Sequence, residues 1–322
     1  MKAFNLGRLT AITAIAFLLP LATTAWAEDT LTLTTAQAAA EKGDAAALYF
    51  LAKAYSKGAG VLRDDAKAVD FMRQAAEKGN APAESDLGVM YFNGAGVKPD
   101  DAEAIRWFRR AADHGDALAE FNLGFSYANG RGVPKDLAQA LDWYQKAATQ
   151  KQPDAIVALG YLHMDGPEGL KVDWKEAVKW YTAAAELGRG DALNYLGFIY
   201  ENGGAGVEQD FTNAVHYYRQ AADRGDAKGQ LNLGRMCLDG TGTAQDSIEA
   251  YKWFTLASMN GAGLANRYLT TLNGADPLLN NTPAVASAAT VAAPLTAKQI
   301  AEARARVREW NKAHPRTAAP AK

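Results

Sequence analysis

The sequence predicts an all-α protein, an α/α solenoid of helix-turn-helix units, and three observations carry that prediction. A block of similar residues returns about every 36 positions and can be traced six times between Asp44 and Gly261. Within each block, apolar residues recur at helical spacing in two separate runs. A glycine-rich turn divides the runs, as in Gly94-Ala95-Gly96-Val97, Gly130-Arg131-Gly132-Val133 and Gly204-Ala205-Gly206-Val207, and an aspartate follows three residues later. Periods of 20–50 residues mark chains whose units bury their apolar faces only against their neighbours.

The elements follow in chain order. Lys2 and Arg8 precede a nearly uninterrupted apolar stretch from Leu9 to Ala22, and Ala25-Trp26-Ala27 places small residues at a cleavage site. Residues 1–27 are therefore expected to form an export signal, with Glu28 the first residue of a periplasmic or secreted product. The stretch is short for a membrane span and Pro20 breaks it; no later segment reads as one. Residues 28–43 end in Ala39-Ala40-Glu41-Lys42-Gly43, the close of a repeat, and are expected to be a lone capping half-repeat.

The unit from Ala81 to Asp116 shows the frame of residues 44–272, which read as six repeats and a terminal half-repeat. Ala83, Leu87, Met90 and Tyr91 define the buried stripe of a first helix. Gly88 sits in that stripe, matched by Gly124, Gly160, Gly197 and Gly234, with Ala52 in the first unit. Glycine costs a helix about 1 kcal/mol relative to alanine, so its recurrence predicts close approach by a neighbouring helix. Asn93-Gly94 and its counterparts end the first helix, glycine supplying the left-handed conformation common there. Asp64, Asp100, Asp136, Asp173, Asp210 and Asp246 precede the second helices and can accept their free N–H groups. Glu103, Gln139, Glu176 and Glu249, three residues on, are expected to complete capping boxes. The second helices carry aromatic pairs such as Trp107-Phe108, Trp143-Tyr144 and Trp180-Tyr181, read as core packing.

Repeat four departs from the frame. Gly166-Pro167-Glu168-Gly169-Leu170 replaces the compact turn, His163 replaces a tyrosine, and Gln150-Lys151-Gln152-Pro153 lacks the usual glycine. Either the solenoid tolerates looser turns here or the unit is specialised. After Ala262 to Leu272, a lone first helix, residues 273–294 read as a linker rich in Ala, Pro, Asn and Thr. Residues 295–322 are expected to hold a basic amphipathic helix and tail. Thr296 and Gln299 form a capping box, and Ile300, Ala303, Val307 and Trp310 share one face, which either caps the last repeat or, with Lys298, Arg304, Arg306, Arg308 and Lys312, meets an anionic partner or membrane surface.

These motifs resemble the Sel1-like repeat, a relative of the tetratricopeptide repeat, in Leu-Gly-x-x-Tyr, Gly-x-Gly-Val, the capping Asp, Ala-x-x-Trp-Tyr and Ala-Ala-x-x-Gly-Asp, over residues 44 to about 261. The resemblance implies a right-handed superhelix acting as a scaffold or adaptor for protein partners. Exported bacterial members include regulators of envelope signalling and parts of secretion, polysaccharide or motor assemblies.

Chemistry is hard to place on this chain. His114, His163, His216 and His314 occupy unrelated repeat positions or the tail, and none pairs with another at metal-ligand spacing. No His-Glu-x-x-His, Ser-x-x-Lys or Gly-x-Ser-x-Gly occurs, and the six aspartates share a capping position. The expectation is no enzyme, no cofactor and no metal. Cys237 is the only cysteine, so no internal disulfide forms, and the paired cysteines of the family's β-lactam-binding branch are missing. A formal net charge of −2 gives no electrostatic case for nucleic acid.

Three functions stay open: an exported scaffold or regulator that recruits another envelope protein, an enzyme or carbohydrate-binding protein with a site built across repeats, and a secreted effector that binds host proteins. The scaffold reading places its groove on the residue after each Leu-Gly pair, because that position lies off the Leu87, Tyr91 stripe. Along the chain it is Lys53, Val89, Phe125, Tyr161, Phe198 and Arg235, with Met164 close by. Terminal cations show that the position can face solvent, and three successive aromatics between them are expected to form the partner-binding stripe. The alternative is that the rings pack on one another or that the terminal helix folds back over them.

Overall fold

The computed structural model describes residues 32–167, 169–274 and 293–315. The expected export signal, most of the linker and the end of the tail lie outside these residues. Fifteen helices and no strand occur among the described residues. Helix α1 (Leu33–Glu41) is followed by pairs α2 (Ala45–Lys57) and α3 (Asp65–Glu77), α4 (Ala81–Asn93) and α5 (Asp101–Asp113), α6 (Ala117–Asn129) and α7 (Leu137–Thr149). The series continues with α8 (Pro153–Asp165) and α9 (Trp174–Glu186), α10 (Gly190–Asn202) and α11 (Phe211–Asp223), α12 (Ala227–Asp239) and α13 (Ser247–Met259). Helices α14 (Ala265–Leu272) and α15 (Ala297–Ala313) close the chain. Each helix from α1 to α14 packs on the next, which makes an α/α solenoid.

Local sequence sets the helix ends. Asp64, Asp100, Asp136, Asp173, Asp210 and Asp246 each accept the backbone N–H three residues on, so every second helix has its cap. The expected capping boxes do not form in these helices. Glu103 turns to the Trp107 indole N–H and Arg106, Glu176 to Lys179, and Glu249 to Lys252 and Arg306. A partner three or four residues along the same helix outcompetes the N-cap amide for these carboxylates. Reciprocal boxes occur at Thr32 with Thr35 and at Thr296 with Gln299.

The recurring helix glycines sit where a ring from the paired helix presses in. A Cβ on Gly88 would lie 2.6 Å from two Phe108 ring carbons, and Gly124, Gly160, Gly197 and Gly234 meet Tyr144, Tyr181, Tyr218 and Phe254 as closely. In the first repeat Met72 takes the ring position and Ala52 the glycine position, both buried.

A second frame contact is polar. The fourth residue of a first helix reaches the end of the paired second helix: buried Glu84 meets His114 at 2.8 Å and Arg110 at 2.9 Å. Glu120 accepts from Gln150 at 2.8 Å and Gln230 from Asn260 at 2.9 Å. Where the connecting glycine is missing, Lys151 itself adopts φ 60°, the left-handed conformation that Gly79, Gly115 and Gly188 supply elsewhere.

Helix α15 lies against α13. Ala303 and Val307 are buried there, Trp310 meets Trp253 edge-on at 6.2 Å, and Arg306 reaches Asp246 at 3.3 Å and Glu249 at 3.0 Å. Part of the basic character of this helix is thus spent on docking. Among the described residues, no helix is long and apolar enough to cross a membrane.

Candidate functional site

Three pairs of consecutive first helices touch directly, α10 on α12 most closely and α4 on α6 and α6 on α8 less so, while no two second helices approach as closely. First helices therefore line the tighter, inner side of the curve. Their stripe of Leu87, Leu123, Leu159 and Leu196 is fully buried toward the second helices. The residue two positions later is rotated about 200° around the helix from that leucine, toward the inner side.

Phe125, Tyr161 and Phe198 are exposed, at 39%, 46% and 41% of their surface. Phe125 meets the Phe92 ring edge-on at 6.1 Å, yet all three rings keep a large share of their surface open on adjacent repeats, and exposed aromatic surface is a common source of interface energy. Phe125 and Tyr161 line one pocket of about 420 Å³ between α6 and α8, with Phe121, Val157, Ala158 and Tyr195. Phe198 stands outside that pocket, its ring 6.2 Å from Trp174. Met164 is part-buried in the core beneath Phe198's repeat, and its carbonyl accepts the Trp174 indole N–H at 3.0 Å. Val89 is part-buried against the core of its own repeat.

The stripe is bounded by ion pairs. Lys53 binds Asp86 at 2.8 Å, a carboxylate that also accepts the Tyr49 hydroxyl at 2.9 Å. Arg235 binds Glu201 at 2.5 Å, and Glu201 also accepts the Tyr218 hydroxyl at 2.7 Å. Position for position, the same helix face carries closed charge pairs at its ends and open aromatic surface between them.

The pocket has a polarity of its own. At the N-terminal ends of the first helices, Arg189 donates to both oxygens of Asp191, at 2.9 and 2.7 Å, and reaches Asp154. Burial opposes ionisation of Asp191, but the Arg189 hydrogen bonds outweigh it and hold the carboxyl below the usual range. Arg189 also breaks the repeat rule. Asp44, Asn80, Asp116, Gln152 and Asp226 cap their first helices with a side chain, and Arg189 does not; Asp191 instead accepts the equivalent amide, Ala192 N–H, at 3.0 Å. At the other end stand Asn129, Pro167 and Lys135.

Sequence reading missed Phe121 and Val157, although each lies four residues before a predicted aromatic and so on the same helix face. It also missed Arg189, which the lost cap could have revealed, and Lys135, whose loop no helix period places. Elsewhere, burial pushes the Cys237 thiol up to about 11, leaving it unreactive at neutral pH. Among the described residues, no group of three or more His, Cys, Asp or Glu side chains is placed to hold a metal ion.

Comparison with known proteins agrees with this architecture. The Sel1 repeat model matches residues 45–80, 81–116, 117–151, 153–188, 190–226 and 227–261. No curated protein sequence matches significantly. Among solved structures, c5321, described as a protective antigen present in uropathogenic Escherichia coli strains displaying an SLR fold, is 31% identical with a TM-score of 0.69. The match covers 88% of this chain and 57% of that one, so this chain spans little more than half the length of that relative. A Sel1 repeat protein from Oxalobacter formigenes is 33% identical with a TM-score of 0.63, over 84% of this chain and 98% of the other. The chain belongs to the Sel1 repeat family, whose members generally mediate protein–protein interaction and are generally scaffolds without catalytic activity.

Proposed function

We propose that this Sel1 repeat protein is a non-enzymatic scaffold or regulatory adaptor, exported to the periplasm or beyond, that holds an extended segment of a partner protein across Phe125, Tyr161 and Phe198. The observation that carries the reading is the row of three open rings on the inner face of consecutive repeats, closed at each end by an ion pair. Adjacent helices lie about 8–10 Å apart, so the three rings span roughly 20 Å, the length of about six extended residues. A segment of that size can place one apolar side chain against each ring, and aromatic contacts of this kind commonly carry most of an interface's energy.

The test begins with a photo-crosslinking residue introduced at Tyr161 or Phe198 in intact cells, with Thr182 on an outer helix as control. A partner trapped from the first two positions and not from the third supports the groove. The trapped partner is then measured against Tyr161→Ala/Phe198→Ala, which should weaken its affinity by roughly 100-fold or more while the helical signal is kept. Unchanged affinity in that double variant would overturn the reading.

A further inference from the structure

The pocket between α6 and α8 is not electrically symmetrical, and its asymmetry bears on what the bound segment looks like. First helices run parallel, so the pocket extends along them for about 20 Å, the length of thirteen helical residues. At one end Asp154, Arg189 and Asp191 form a closed cluster with a net charge of −1. The single cation there is engaged by two carboxylates and has little left to offer an incoming anion. At the other end Lys135 is exposed and has no carboxylate within ion-pair distance among the described residues. Between them the walls are Phe121, Phe125, Val157, Ala158 and Tyr161.

Arg189 departs from the frame at the same place. Every other first helix of the repeats starts on a side chain that caps it. Here Asp191 takes over the amide that the cap would meet, Ala192 N–H at 3.0 Å, which leaves the cap position to a cation that lines the pocket.

We infer that the pocket takes one large apolar side chain of the partner segment, and that Lys135 selects an acidic residue at a fixed offset on one side of that anchor. This rests on the groove reading above. A carboxylate at the Lys135 end gains a cation that has no carboxylate partner among the described residues, while the same carboxylate at the opposite end meets net negative charge. The two ends together fix the direction in which the segment lies, because charge complementarity sets register and rejects the reversed orientation.

A library of random short peptides displayed on phage, selected on the immobilised full chain, tests this without knowledge of the natural partner. Parallel selections use Lys135→Glu, Tyr161→Ala/Phe198→Ala, and Lys98→Glu as a charge control in the equivalent loop of another repeat. The expected winners carry an aromatic or leucine with Asp or Glu at a constant offset. On Lys135→Glu the acid should give way to Lys or Arg, and a synthesised winner should bind that variant roughly 10-fold more weakly, with Lys98→Glu unaffected. Peptides that need Tyr161 and Phe198 but show no acidic preference, or that bind Lys135→Glu unchanged, overturn the inference and leave the groove intact. A selection yielding no peptide that depends on Tyr161 and Phe198 overturns the groove reading and this inference with it.

Discussion

Gly88→Ala should destabilise this protein, although helix propensity alone demands the opposite. Alanine in place of a helix-interior glycine is ordinarily worth about 1 kcal/mol of stability. The new Cβ, however, would stand 2.6 Å from two carbons of the Phe108 ring and 3.2 Å from the Ala104 carbonyl oxygen. Ordinary contact between carbons lies near 3.5–4.0 Å. Phe108 is fully buried, so its ring cannot retreat without pushing α4 and α5 apart. Overpacking of this kind typically costs 1–3 kcal/mol, and with backbone as well as ring in contact the upper part of that range applies, which leaves a net loss of up to about 2 kcal/mol after the propensity gain. Each kcal/mol should lower the melting temperature by roughly 2–4 °C in a chain of this size, measurable by circular dichroism on heating or in urea. The first repeat indicates the rescue. There Met72 faces the position that Ala52 fills, so Phe108→Met should recover part of the loss when combined with Gly88→Ala. A coupling of at least about 1 kcal/mol is expected from the double-mutant cycle. A stabilised Gly88→Ala, or strictly additive effects, would refute the claim that ring contact dictates these glycines.

Two further substitutions probe the frame. Asp136→Ala leaves the α7 N-terminus without the acceptor that Gln139 N–H now meets at 3.0 Å, and should cost about 0.5–2 kcal/mol in urea denaturation with partner binding unchanged; an unaltered midpoint together with lost binding would contradict its structural role. Burial raises the Asp226 carboxyl above its ordinary value even though it accepts the Gly229 N–H at 2.6 Å. The folded chain then keeps this proton to higher pH than the unfolded chain, so its contribution to stability falls as pH rises from about 4. Asparagine caps a helix equally well and does not titrate. Asp226→Asn should therefore gain on the wild type as pH climbs through the carboxylate range, and a difference independent of pH would show that the buried charge carries no penalty.

The frame was legible in the sequence because its determinants are local and repeated. A capping aspartate acts on an amide three residues away, and a glycine at a helix end acts through its own φ, so neither needs knowledge of the fold. Six copies make each signal redundant. At Glu103 the capping box failed for a reason that is local as well: it had two nearer donors, in Arg106 and the Trp107 indole, and pattern matching does not weigh competing partners; nothing in the structure explains the missing box at Gln139. Phe125, Tyr161 and Phe198 could be found because they vary at a place where the frame imposes nothing. The pocket could not, since Lys135 reaches it from a loop and Tyr195 from the next repeat but one.

That contrast explains why repetition both reveals this fold and conceals its function. Any position that the stacking requires must hold nearly the same residue in each unit: leucine in the buried stripe, glycine under a ring, aspartate at the second helix. A binding surface for one particular partner must do the reverse, changing from unit to unit while its neighbours stay fixed. The position after Leu-Gly varies in that way, running from a paired lysine through a part-buried valine and three exposed rings to a paired arginine. At Arg189 the variation reaches a position that the frame itself uses, yet the frame loses no bond by it. Asp191 accepts the Ala192 N–H that a capping side chain meets in the other repeats. The stacking is kept while a cation, held between Asp154 and Asp191, replaces a capping carboxylate or amide at one end of the pocket. A frame that can hand a structural bond to a neighbouring residue is free to vary even at a capping position, and such a handover is visible only once the competing partners are weighed.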